Sequence, residues 1–344
     1  MISSVCIQIH NRHSTSPRVA AARELGARMK FKATFGDVGA RWLERFAPIF
    51  EKLGSECSLL LTPTTLCVLQ SSRAANGIET HVDFRADEVF ENYRISSANE
   101  DKIAVKLEPQ ALHRVLRGLI ALEATRVEAK LVKRAPRVGA RAVPFLNFTS
   151  VESAIDVSQD VPIVGPLNRL ELAQCEAVVG ANVVDVPYWL ECDRFACESL
   201  RDGVERFARV SEWIEITTTR SGSLYMSASK GSVRVLGTEH RGLRVLPAEA
   251  DEYDEHAREP GSVAARLAEI KSSGIGKTVN LSVKHLQRGL LGCSSNPSNL
   301  LLGASANGNF FELVFRYGAQ TERDGDSVGF MVRIPVVDGD ENLN

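Results

Sequence analysis

The chain has 344 residues, with 41 Lys and Arg against 43 Asp and Glu, a formal net charge of −2 and 44% hydrophobic residues. That length fits about two domains of roughly 100–200 residues each, and the apolar fraction excludes a wholly disordered chain. The near-neutral balance gives no global attraction to nucleic acid or anionic lipid, so any DNA contact must come from a local patch, and no run approaches the ~18 apolar residues of a membrane helix.

Residues 1–28 set Arg12, Arg18, Arg23 and Arg28 against one acid, Glu24, amid Ser and Ala. They read as a disordered leader with the composition of a weak organellar transit peptide. The fold is expected to begin with a strand at Met29–Phe35, followed by a helix over Arg41–Leu53 in which Trp42, Phe46, Ile49, Phe50 and Leu53 recur at helical spacing and Pro48 marks a kink or a break. Strands are predicted at Glu56–Leu61, Thr65–Gln70, Gly77–Phe84 and Lys102–Leu107, a helix from Pro109 to about Leu122, and strands at Arg126–Lys133 and Arg141–Thr149. The second half repeats this grammar. A strand at Val183–Leu190 leads to a helix capped by Asp193 and reaching about Val210, with Phe195, Leu200, Val204 and Phe207 turned inward. Strands follow at Trp213–Thr219, Leu224–Ala228 and Val233–Leu246, then an insertion loop over about 247–276. Strand Thr278–Val283, a helix from Lys284 to about Leu291, strands at Leu300–Ala304, Phe310–Arg316 and Val328–Pro335, and an acidic tail at 338–344 complete the chain.

Leu112-His-Arg114-Val-Leu116-Arg-Gly118 and Leu286-Gln-Arg288-Gly-Leu290-Leu-Gly292 share the pattern Leu-x-Arg-x-Leu-x-Gly, each between two predicted strands. The echo points to structurally duplicated halves. The helices at 109–122 and 284–291 carry Arg114, Arg117, Lys284 and Arg288 and no acid. The helix at 41–53 carries Arg41, Arg45 and Lys52 against Glu44 and Glu51, and the one at 193–210 carries Arg194, Arg201, Arg206 and Arg209 among Glu198, Asp202 and Glu205. Two readings of these cations stand: solvated helix faces, or sequence-independent attraction to phosphates.

Other chemistry finds little support. The seven cysteines are odd in number and include no Cys-x-x-Cys pair, which argues against a disulfide framework or a structural zinc site. Cys192 and Cys197 are not on one helix face and read as buried thiols. Gly276-Lys-Thr278 lacks the first glycine of a phosphate-binding loop, since Lys271 stands there, and a strand follows where a helix should begin. Lys133-Arg134 with Arg137 and Arg141 reads either as a basic hairpin turn or as a nuclear-import patch.

The order of elements resembles a sliding-clamp subunit of the PCNA type. Three stretches are similar to the Hus-one subunit family of the Rad-nine/Rad-one/Hus-one checkpoint clamp: Met29-Lys-Phe-Lys-Ala33 with its following helix, Asp160-Val-Pro-Ile163 with Pro166 and Leu170, and Val279-Asn-Leu-Ser-Val-Lys-His-Leu286. The resemblance implies an α+β fold of two PCNA-like domains, at 29–150 and 182–337, with helices lining a central channel, antiparallel sheets outside and a connector at 151–181. It implies a non-enzymatic subunit of a heterotrimeric ring, without a cofactor or a membrane partner. Rad-nine-like and Rad-one-like subunits would complete the ring, a clamp loader would place it on DNA, and it would recruit checkpoint and repair factors in the nucleus, the cytoplasm being the other compartment open to it. Arg41, Arg45, Lys52, Arg114, Arg117, Arg201, Lys284 and Arg288 then face DNA. The ring interface is expected at edge strands carrying Arg141, Val143 and Phe145 on one side and Leu224, Tyr225, Met226 and Ser227 on the other. Val161 and Ile163 are expected either on the outer surface, where clients dock, or paired along the sheet edge. A homotrimeric replication-type clamp and an unrelated nucleotide-binding enzyme are the alternatives.

Overall fold

The computed structural model describes residues 29–121, 126–135, 141–151, 157–180, 186–230, 233–247, 262–318 and 328–337. The first half comprises β1 (Lys30–Phe35), α1 (Asp37–Leu53), β2 (Cys57–Leu61), β3 (Thr65–Gln70), β4 (Glu79–Arg85), the single turn α2 (Ala86–Val89), β5 (Phe90–Ser96), β6 (Ile103–Leu107), α3 (Pro109–Ala121), β7 (Arg126–Arg134), β8 (Val143–Val151) and β9 (Ser158–Val164). Helix α4 (Arg169–Gly180) leads to the second half: β10 (Trp189–Asp193), α5 (Arg194–Phe207), β11 (Trp213–Thr219), β12 (Leu224–Lys230), β13 (Val233–His240), β14 (Arg244–Leu246), α6 (Val263–Ser273), β15 (Gly276–Ser282) and α7 (Val283–Gly289). A 3₁₀ segment (Leu290–Ser295), β16 (Asn299–Ala304), β17 (Phe310–Tyr317) and β18 (Val328–Pro335) end it. Without α2, α4 and α6, both halves read strand, helix, five strands, helix, three strands, so β4 corresponds to β13 and β9 to β18.

All the strand pairings are antiparallel. One sheet runs β14-β10-β16-β17-β18-β4-β3-β2-β6-β9-β8-β7-β1-β5, and a second runs β13-β12-β11-β15. The two halves share the large sheet through β18 and β4, paired from Phe330↔Val82 to Arg333↔Glu79. Strand periodicity sorts the side chains onto two faces. On β2 and β3, Leu59, Leu61, Leu66 and Val68 enter the main core with α1 and α3, while Leu60, Cys67 and Leu69 point the other way and are covered by Leu172 and Cys175 of α4. Phe46, Phe84, Tyr317 and Phe330 form an aromatic cluster across the junction of the halves, with Phe46 centred 5.0 Å from Tyr317 and 5.8 Å from Phe330.

Most predicted elements stand, with shifted ends. Pro48 lies inside an unbroken α1. Asp193 caps α5 as predicted, its carboxylate accepting from Ala196 N at 2.7 Å. Phe195, expected inward, is 80% exposed, because the buried face of α5 is set by Cys197, Leu200, Val204 and Phe207. The predicted Val233–Leu246 strand is two strands, separated by a turn with Gly242 at φ 71°. The second-half opening strand is Trp189–Asp193, and residues 183–185 of the predicted one lie outside the described residues, as do the leader and the acidic tail. The insertion is not all loop, since α6 occupies its C-terminal part. The connector is folded too, as β9 and α4.

Candidate nucleic-acid and ring interfaces

Helices α1 and α3 pack together, as do α5 and α7, and the 3₁₀ segment touches α1, so all four lie in one layer against the sheets. The leucines of the repeated motif anchor them: Leu112, Leu116, Leu286 and Leu290 are all buried. The cations on this layer fall into distinct environments. On α1, Arg41, Arg45 and Lys52 are exposed, and the Arg45 guanidinium sits 4.8 Å from the Trp42 ring centroid and 5.7 Å from that of Tyr317. Stacking on these rings holds the charge at a fixed place while leaving it hydrated. On α3, Arg114 and Arg117 are exposed and line a 510 Å³ cleft with Glu51, Gln110 and His113. His113 Nδ1 lies 3.0 Å from Glu51 Oε2, which fixes α3 against α1 and places Gln110 and His113 beside the arginines. No motif or spacing in the sequence singles out Gln110 or His113.

The second half differs. Lys284 of α7 is exposed. Arg288, expected to face solvent like Arg114, is half-buried, and its Nη2 donates to the carbonyl of Leu53 at the end of α1. Burial lowers the pKa of its guanidinium below the ordinary value. Helix α1 needs such donors, because its last carbonyls have no intrahelical partner. Gln70 Nε2 donates to the Phe50 carbonyl at 3.0 Å, beside the bond that carbonyl accepts from Gly54 N. One turn earlier on α7, the His285 ring packs on Gly77, where a Cβ would come within 2.8 Å of the ring and φ is 103°. Burial first, then the cations Arg288 and Lys284, push the His285 pKa down against a hydrogen bond that the ring donates to the Asn76 backbone, which raises it. Arg201 of α5 lies 3.3 Å from Asp202, and Arg194 3.4 Å from Glu198, so much of this helix's charge is met within it.

The family model described as Hus1-like protein matches residues 29–315. The chain belongs to the Hus1-like family. A protein named checkpoint protein hus1 homolog from Dictyostelium discoideum is 24% identical to it over 247 residues, covering 71% of this chain and 83% of the relative. A crystal structure of proliferating cellular nuclear antigen from Entamoeba histolytica superposes with a TM-score of 0.54 over 90% of this chain and 99% of that one, at 9% identity. The Hus1-like chain therefore has the PCNA-like α+β clamp fold.

The strands assigned to the ring interface from sequence are not edges in this Hus1-like chain. β8 lies between β7 and β9, bonded to β9 from Phe145↔Pro162 to Thr149↔Ser158, so Phe145 is inside the sheet. Arg141 precedes the strand and is exposed; Val143 pairs with Arg134, beyond the reach of β9. β12 lies between β11 and β13. There Leu224 and Met226 enter the core, while Tyr225 and Ser227 turn to the opposite face. That face is occupied: Ser227 Oγ donates to Glu215 Oε1 at 2.9 Å, and α6 docks over it with Lys271 2.5 Å from Glu215 and Arg266 2.5 Å from Glu239. Burial raises the pKa of the Glu239 carboxyl, but hydrogen bonds from Arg241, Arg266 and Tyr225 outweigh it and bring the value down to about 2. Val161 and Ile163 are buried in β9 and not on the outer surface. Among the described residues, β13 ends its sheet, bonded only to β12, and the first part of β9 is bonded to β8 alone, meeting β6 only at Ile163 and Val164; β5, β14 and β15 are the other sheet ends.

Proposed function

We propose that this Hus1-like chain is a non-enzymatic subunit of a heterotrimeric DNA sliding clamp of the damage checkpoint, closed by Rad-nine-like and Rad-one-like subunits. The observation that carries the assembly is the β18–β4 pairing. It joins the last strand of the second half to the fourth paired strand of the first. The counterpart by repeat order is β9 with β13, and the chain leaves both open along an edge. An open edge presents unmet backbone N–H and C=O groups and accepts another strand. A neighbour offering a β13-like strand to β9, and another offering a β9-like strand to β13, repeats the internal junction around a ring. The helix layer then lines the hole, where phosphate charges meet Arg41, Arg45, Lys52, Arg114, Arg117 and Lys284. A ring of this kind is placed by a separate ATP-hydrolysing loader and acts in the nucleus on DNA without reading sequence.

Co-expression of the chain with its two partner subunits is the test. One copy of each should co-purify, and light scattering on the chain alone should give a species smaller than a trimer. A stable homotrimer would support the replication-type clamp instead.

A further inference from the structure

Six thiols lie among the described residues, and they are not alike. Cys57, Cys67, Cys175, Cys192 and Cys197 are buried, while Cys293 is only partly so. Cys197, on the first turn of α5, and Cys293, in the 3₁₀ segment after α7, are 96 residues apart in sequence, and the Cys293 thiol reaches the Cys197 carbonyl at 3.8 Å. The two thiols also interact, Cys293 lowering the Cys197 pKa below the ordinary thiol value against burial, with the Arg201 guanidinium adding to the lowering and Glu198 opposing it, while the same contact and burial raise Cys293. Cys67 and Cys175 are the contrasting case. They are neighbours across the second core, but burial raises both, and Asp83 beside Cys67 raises it further. A thiolate is the nucleophile in sulfur oxidation, so reactivity follows the site that stabilises it and the path by which oxidant enters.

We propose that Cys197 and Cys293 are an oxidative modification site, a thiol pair that closes to a disulfide when the protein meets a peroxide. The Cys197 thiolate attacks one peroxide oxygen, the O–O bond breaks, and the released hydroxide takes up a proton to leave as water. Cys197 is then a sulfenic acid. The Cys293 sulfur attacks the Cys197 sulfur, giving up its proton; the S–S bond forms, the S–O bond breaks, and a second water leaves. Two thiols are oxidised and one peroxide is reduced to two waters. The partly exposed Cys293 opens the entry path for a molecule as small as hydrogen peroxide. The Cys293 sulfur begins 3.8 Å from the Cys197 carbonyl, at the residue it would join, and the bond forms when the two sulfurs close to the ~2.05 Å of a disulfide. The bond would tie α5 to the segment following α7, locking two members of the helix layer together. Cys192, though also near the pair, stays a buried thiol whose pKa is pushed up to about 12 by burial first and then by the neighbouring Cys197.

The test uses the full chain, reduced and then treated with hydrogen peroxide, alkylated, digested and mapped by mass spectrometry. A peptide joining Cys197 to Cys293 should dominate the oxidised fraction and disappear on treatment with dithiothreitol. C197S or C293S should abolish it, and C192S should leave it unchanged. Separate Cys197 and Cys293 peptides carrying sulfinic acid, or a cross-link that forms chiefly through Cys192, would overturn the proposal. The mapping is done on the chain alone, so its outcome does not depend on ring assembly.

Discussion

The two arginines of the Leu-x-Arg-x-Leu-x-Gly repeat show what a residue pattern carries and where it stops. Both leucine pairs are buried, as their position opposite the arginine on each helix requires. Arg114 is exposed accordingly, whereas Arg288 is withdrawn to the Leu53 carbonyl. Periodicity gives the direction in which a side chain leaves its own helix. It does not reveal that the end of α1, 235 residues away, stands in that direction. The same limit explains Cys293, whose contact with Cys197 spans 96 residues, and His113, whose partner Glu51 is 62 residues away. A charge-assisted hydrogen bond to a carbonyl contributes about 1.5–3 kcal/mol when well shielded. Arg288 is partly wet, so Arg288→Ala is expected to lower stability by about 1–2 kcal/mol in urea unfolding. Arg114→Ala should change it by less than about 0.5 kcal/mol, as for most exposed positions. Equal losses for the two variants would show that Arg288 does not anchor α1.

At the level of elements, strands with clear alternation and turn residues between them were legible: β2, β3, β11 and β16 to β18 lie within a few residues of their predicted places. Absent from the sequence pattern are α2, β5 and α6, whose charged or polar sequences lack a sustained apolar period, and β9 and α4, which read as a connector. That omission misplaced the ring edge. Pro144 marks β8 as an edge by its sequence, since proline cannot donate to a ladder. Its position is indeed free on one side, because β9 reaches only to Phe145; the rest of β8 is interior. The open edges β9 and β13 become apparent only once every strand has its neighbour. Consecutive residues of an antiparallel edge strand send their N–H groups alternately inward and outward. Of Gly237→Pro and Thr238→Pro in β13, one therefore removes an N–H directed at β12 and the other an outward one. The inward variant should melt at lower temperature. The outward variant should keep its melting temperature closer to that of the parent while losing capture of one partner. Full capture of both partners by both variants would exclude β13 from the ring interface.

Across the whole molecule the charge is distributed unevenly over a nearly symmetric frame. The first half presents Arg41, Arg45, Lys52, Arg114 and Arg117 on the helix layer, with Glu51 engaged by His113. In the second half Arg288 is tied to Leu53, and Arg201 and Arg194 sit beside Asp202 and Glu198; Lys284 is the cation of α7 that stays exposed. Arg206 and Arg209 at the end of α5 are exposed as well, so a chain with a formal net charge of −2 carries positive charge on both halves of the helix layer, with the denser set on the first. Each phosphate contact removed lowers the salt slope of DNA binding by about 1 and weakens all sequences alike. In the assembled ring, Arg114→Ala with Arg117→Ala should therefore reduce the slope by about 2, whereas Arg194→Ala with Arg201→Ala should reduce it by less than about 1, because those cations already have carboxylate partners. Binding isotherms across a salt series, on duplexes of two unrelated sequences and with ring integrity checked by light scattering, decide it. Equal slopes for the two double variants would mean that DNA contacts both halves of the layer alike. A parental slope in the first variant would mean that α3 does not face DNA at all.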